Sequence, residues 1–226
     1  MAGLVYLKLP PLPHELNQAL LKEGQHMPVM AKDGRILTEY HGVASPTNSN
    51  TDNWGTTAKI NNDRRTDEGG VPQLPWELVN EVRSIIQPYF KVEIFPIIIK
   101  FTNNTDQDIV NQGPHCDIFR TVGINYHLQL GGPNVLTNVY KQTRKDLSTI
   151  TTEAEDVRAD EVELLQQHHI PLHQWHVLDV QRYHAVMNLT REERIFLSLT
   201  YPEKITYNQF TDQYIDLIGE NNDIVD

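Results

Sequence analysis

At 226 residues the chain can bury a sizeable core and suits one β-rich domain with helical additions. Its net charge of −11 argues against the broad phosphate-binding surface that nucleic-acid recognition needs. One cysteine excludes an internal disulfide, and no signal-peptide core or apolar run of roughly 18 residues is present, so a cytoplasmic protein without membrane association is expected.

From the N-terminus, Leu4 to Leu9 reads as a strand, followed by a proline-started helix over residues 13–23 with Leu16 and Leu20 facing a core. Residues 41–73 are rich in Asn, Thr, Asp and Gly without periodicity and read as a long loop. Trp54 within it is expected to make a small packing contact rather than meet a substrate. A second helix is predicted over residues 75–87, with Trp76, Val79, Val82 and Ile86 as one apolar stripe. The run KVEIFPIIIKF, Lys91 to Phe101, reads as a strand or strand pair broken at Pro96, at an edge or a bulge. Residues 103–113 read as a polar turn.

That turn delivers the chain to His115-Cys116-Asp117. His-x-Asp followed much later by one more histidine is the sequence form of the two-His, one-carboxylate triad that leaves open positions on a non-haem Fe(II). Alternate residues of an extended strand point to one side, so His115 and Asp117 can meet one ion while Cys116 points away. The tripeptide alone decides little in a chain with ten histidines.

Thr121 to Leu130 then alternates, with Val122, Ile124, Tyr126, Leu128 and Leu130 on one face, and Gly131-Gly132-Pro133-Asn134 turns into another strand. Tyr126 either sends its hydroxyl into the interior of a barrel or sits in the core with that hydroxyl satisfied elsewhere. The acidic stretch 141–167 is expected to be a solvated loop or short helix. His168, His169, His173 and His176, around a strand PLHQWHVLDV, lack a carboxylate in triad register, so no second metal site is expected there. His184 opens HAVMNL, and ten residues later Arg194 opens RIFLSLTY, which reads as a buried strand. Arg194, Phe196, Ser198 and Thr200 share one face, and a buried guanidinium there needs an anion, either a ligand carboxylate or a protein one. Residues 206–219 read as a final amphipathic helix with Phe210, Tyr214 and Leu217 as its stripe. Short strands separated by Gly, Pro and Asn turns, without alternating helices, favour a sandwich or jelly roll over a parallel α/β sheet.

Taken together, His115-x-Asp117, His184-Ala185-Val186 and Arg194 resemble the Fe(II)- and 2-oxoglutarate-dependent oxygenases, most closely their prolyl-hydroxylase-like and phage-encoded members, over residues 92–201. The resemblance implies a mainly β chain with flanking helices: a double-stranded β-helix, the cupin-like jelly roll, with its core near residues 90–201. Residues 1–89 would pack outside it and a helix would cover one end, all in one domain. It further implies Fe(II) on His115, Asp117 and His184, and 2-oxoglutarate with its distal carboxylate on Arg194, helped by Tyr126 or Ser198. Molecular oxygen would be consumed, and a small molecule or protein side chain hydroxylated. Three other readings share the barrel, one of them a nucleic-acid dealkylase of the same superfamily, which would need a basic substrate groove that the acidic composition disfavours. A cupin-type metal enzyme would have no use for Arg194, and a cofactor-free jelly-roll binding module would use neither group.

Overall fold

The computed structural model describes residues 3–27, 36–41, 74–117, 121–142, 162–201 and 205–219. Two antiparallel sheets face one another. The larger contains β1 (Leu4–Tyr6), β2 (Ile36–His41), β3 (Phe95–Asn103), β5 (Gly123–Leu130), β8 (Trp175–Leu178) and β10 (Arg194–Thr200), in the order β1-β8-β5-β10-β3-β2. The smaller contains β4 (Val110–His115), β6 (Leu136–Gln142), β7 (Val162–His168) and β9 (His184–Leu189), in the order β4-β9-β6-β7. From β3 to β10 the chain winds between the sheets and, among the described residues, leaves four strands in each, with β1 and β2 added to the edges of the larger one. This is the jelly roll, or double-stranded β-helix, that the sequence leads one to expect.

Side-chain alternation gives the larger sheet two unlike faces. Ile98, Ile124, Tyr126, Trp175, Val177, Ile195, Leu197 and Leu199 point outward. They form one cluster with Leu16 and Leu20 of α1 (His14–His26), Val79, Val82 and Ile86 of α2 (Trp76–Ile86) and Phe210 of α3 (Tyr207–Gln213). The helices therefore cover the outside of the larger sheet. Its inner face is more polar, carrying Asn125, His127, His176, Arg194 and Ser198, all buried. Apolar contacts at its flanks, Ile97, Ile99 and Phe196 on one side and Leu4, Tyr6 and Leu178 against Val139 of β6 on the other, close the space between the sheets.

Several elements differ from expectation for identifiable reasons. β3 runs unbroken through Pro96, which lies opposite Leu199 of β10, and among the described residues its pairing with β2 covers Ile98 to Asn103. β4 starts at Val110, inside the segment read as a polar turn, and shifts register twice on its way to His115. β5 shifts register at Leu128, so Leu130 leaves the face of Ile124 and Tyr126 and lies opposite Arg194. Val162 to His168 is a strand and not a loop or helix. It lies at the edge of the smaller sheet, where polar and charged residues are the normal protection against edge-to-edge pairing. The strand expected over PLHQWHVLDV is confined to Trp175–Leu178. The last helix is capped by Thr206 and Gln209 and stops at Gln213, with a 3-10 turn at Ile215–Leu217. Trp76 is partly exposed and does not join the α2 stripe. Trp54 with nearly all of the 41–73 stretch, and residues 143–161, lie outside the described residues. No helix among the described residues is long and apolar enough to cross a membrane.

The β5–β6 turn sets the start of β10. Gly131 has φ +83°, and a Cβ there would come within 2.8 Å of Arg194 Cβ. Gly131→Ala is therefore expected to lower unfolding free energy by about 1–3 kcal/mol, the range for a non-glycine residue forced to positive φ. Urea denaturation checks this, and an unchanged midpoint would contradict the packing described for the turn.

Candidate functional site

Strand pairing brings the two distant histidines together. In the antiparallel β4–β9 ladder His115 lies directly opposite His184, with ring centroids 4.3 Å apart. β4 ends at His115, so Asp117 is positioned by loop contacts and not by the strand. Its N–H donates to Val180 O at 2.8 Å, Gln181 Nε2 donates to Asp117 O at 2.9 Å, and Cys116 Sγ donates to Gln181 O at 3.3 Å. The tripeptide is thereby tied to the loop between β8 and β9. Asp117 Oδ1 sits 3.9 Å from His115 Nε2 and 3.7 Å from His184 Nε2. Burial, Asp117 and Asp179 push the Cys116 thiol up to about 11, so it is protonated at neutral pH and engaged with the loop.

The donor set suits a metal ion. A backbone carbonyl can only accept, so the contacts of His115 Nδ1 with Gly113 O (2.9 Å) and of His184 Nδ1 with Arg182 O (3.0 Å) place the ring protons on Nδ1. That leaves both Nε2 lone pairs for a ligand, the backbone-anchored arrangement usual for metal-binding histidines. The three ligand atoms lie within 4.8 Å of one another. Ligands about 2.1 Å from one ion at right angles stand about 3 Å apart, a contraction within reach of side-chain rotation.

Arg194 makes the second half of the site. It is 5% exposed, and its Nη2 donates to His127 Nε2 at 2.8 Å and Thr137 Oγ1 at 3.2 Å. Nε and Nη1 are buried and have no partner among the described residues, and no described carboxylate pairs with the guanidinium. Burial lowers its pKa to about 9, which leaves it cationic at neutral pH. Of the two anions considered from the strand alone, the protein carboxylate is thus not found among the described residues. The distance to the triad follows from register. Thr137 lies two residues from Val139 on β6, about 7 Å along the strand, and Val139 is paired with His184.

Two candidate residues fall elsewhere. Tyr126 is on the outer face, where its hydroxyl accepts from Leu12 N at 3.1 Å and its ring packs on Trp175, so it takes no part in the interior. Ser198 is on the inner face but four residues from Arg194, about 13 Å along β10, opposite Asn125. In their place the fold supplies His127 and Thr137. The alternation that turns Tyr126 outward turns His127 inward, a signal present in the sequence once the sheet's faces are known. Thr137 carries no such signal.

No protein-family model matches the chain, and no curated protein matches it. Solved structures of similar shape include the non-haem α-ketoglutarate-dependent epimerase SnoN from nogalamycin biosynthesis, at 14% identity over 87% of this chain and 77% of that one, TM-score 0.46. A prolyl-4-hydroxylase from Pseudomonas putida matches at 14% identity over 87% and 90% of the two chains, TM-score 0.40. An oxidoreductase of the 2OG-Fe(II) oxygenase family from Burkholderia pseudomallei matches at 13% identity over 90% and 86%, TM-score 0.42.

His127 gives the site a pH signature. Burial, Arg194 and His176 hold its pKa well below the ordinary 6.5. The unfolded chain therefore takes up this proton first, and the stability associated with neutral His127 is complete above pH 6.5 and lost as pH falls below it. The slope is at most about 1.4 kcal/mol per pH unit for one group. Denaturation at a series of pH values should show the stability gap between wild type and His127→Gln narrowing below pH 6.5. A gap constant with pH would mean that His127 takes up its proton equally in the folded and unfolded chains, and would contradict the buried, neutral ring described here.

Proposed function

We propose that the chain is an Fe(II)- and 2-oxoglutarate-dependent oxygenase, acting as one domain over residues 1–226 and hydroxylating a small molecule or a protein side chain. The observation that carries this reading is Arg194: a buried cation with open donors, facing the same interior as a two-histidine, one-carboxylate cluster. A protein that bound metal alone would gain nothing from an uncompensated buried charge, which costs several kcal/mol to maintain. A ligand carrying a carboxylate about one co-substrate length from the metal removes that cost on binding.

In this reading His115, Asp117 and His184 hold Fe(II), which supplies oxygen activation coupled to decarboxylation of the keto acid. The chain's own residues do the positioning. Gly113 O and Arg182 O keep the two imidazoles turned with Nε2 inward. Arg194 receives the distal carboxylate, and Thr137, whose oxygen already accepts from Nη2, has its own O–H left to donate to the same group. The ring centroid of Phe196 lies 5.9 Å from the guanidinium carbon, and Phe101 and Leu130 are the cross-strand partners of Arg194, an apolar setting that weakens competition from water.

Arg194→Ala is expected to weaken 2-oxoglutarate binding about tenfold to a hundredfold, the value of one charge-assisted hydrogen bond, and to leave Fe(II) affinity unchanged. Arg194→Lys should recover part of the loss, keeping the charge without the planar group. Calorimetry under anaerobic conditions reads both affinities. Normal 2-oxoglutarate affinity in an Arg194→Ala protein with a lowered melting temperature would show a purely structural arginine, as a cupin-type metal enzyme or a binding module would have.

A further inference from the structure

The contact between Arg194 and His127 has a definite polarity. A guanidinium only donates, so His127 Nε2, 2.8 Å from Nη2, accepts, and the ring is neutral with its proton on Nδ1. Thr137 Oγ1 accepts from the same nitrogen. Nη2 has two protons, and both are taken. Each of the two parallel N–H pairs by which a guanidinium can grip a carboxylate includes Nη2, so neither fork stands open. The open donors are Nε–H and the Nη1 protons.

The imidazole is itself tightly placed. It stacks on His176 of β8 at 5.0 Å and meets the edge of Phe196 of β10 at 5.5 Å, and it is 1% exposed. An acidic residue at this position would neutralise Arg194 and abolish its attraction for a ligand anion, whereas an apolar one would leave Nη2 unsatisfied and the guanidinium free to rotate. A neutral acceptor avoids both outcomes. We propose that His127 is a positioning residue of the anion site: it holds Arg194 by one Nη2 proton without neutralising it, so that a carboxylate is received by Nη1 together with the Thr137 hydroxyl. The inference rests on Arg194 being the co-substrate anchor, and it replaces a simple two-pronged fork with one guanidinium N–H and one hydroxyl.

The test compares wild type, His127→Phe and His127→Gln by anaerobic calorimetry with 2-oxoglutarate on the Fe(II)-loaded protein, with Fe(II) affinity and melting temperature read for each. His127→Phe, which has no acceptor, should bind 2-oxoglutarate about tenfold or more weakly. His127→Gln, whose amide oxygen can accept, should restore most of that affinity, and Fe(II) affinity should be the same in all three. His127→Leu serves in the same comparison if the phenylalanine variant does not fold. Equal affinity in wild type and His127→Phe, or equal losses in the Phe and Gln variants, would overturn the role of His127 while leaving the oxygenase reading intact. A wild-type protein that binds Fe(II) but not 2-oxoglutarate would instead overturn the oxygenase reading, and this inference with it.

Discussion

A guanidinium buried between two sheets, with no described carboxylate to balance it, is the constraint on which the rest of this structure turns. Desolvation opposes such a charge, and the chain meets the cost only in part, with a neutral imidazole and a hydroxyl on a single nitrogen. The flanking architecture is consistent with holding that charge in place. The β5–β6 turn needs glycine at positive φ because Arg194 Cβ occupies the space beside it. The register shift in β5 aligns Leu130 with Arg194, and the apolar outer face anchors the sheet against α1 and α2.

The triad is built by a different principle. Its histidines are fixed by strand register and by carbonyls two residues upstream in each case, Gly113 for His115 and Arg182 for His184. Asp117 has no such strand support and depends on the loop between β8 and β9, itself braced by Asp179 N donating to Gly3 O and by the Asp179–Arg182 pair. Of the three candidate ligands, the carboxylate is therefore the one placed by loop contacts and not by strand register.

Much of this was legible in the sequence because the relevant chemistry follows simple periods. The His-x-Asp spacing, the late His184 and the buried strand led by Arg194 predict one interior site, and the turn-separated strands predict the jelly roll. The failures have physical causes. Alternation in β5 distinguishes two faces but not which of them the helices cover, so the sequence leaves Tyr126 open between the interior and the core, and its neighbour His127 is the one turned inward. The register shift at Leu128 depends on pairing with β10 and leaves no local mark. β7 has the composition of a solvated loop because an edge strand needs the same polar residues. Thr137 joins Arg194 only through sheet packing, which no local pattern encodes.

The central claim is that the cluster of His115, Asp117 and His184 and the guanidinium of Arg194 serve one bound keto acid, gripped at both ends. Anaerobic titration followed by absorption spectroscopy tests it most directly. Fe(II) alone and 2-oxoglutarate alone should give no visible band, and the two together should give the weak metal-to-ligand charge-transfer absorption of a chelated keto acid, saturating at one equivalent of each. Fe(II) that binds without producing that band at any concentration of 2-oxoglutarate would contradict the account.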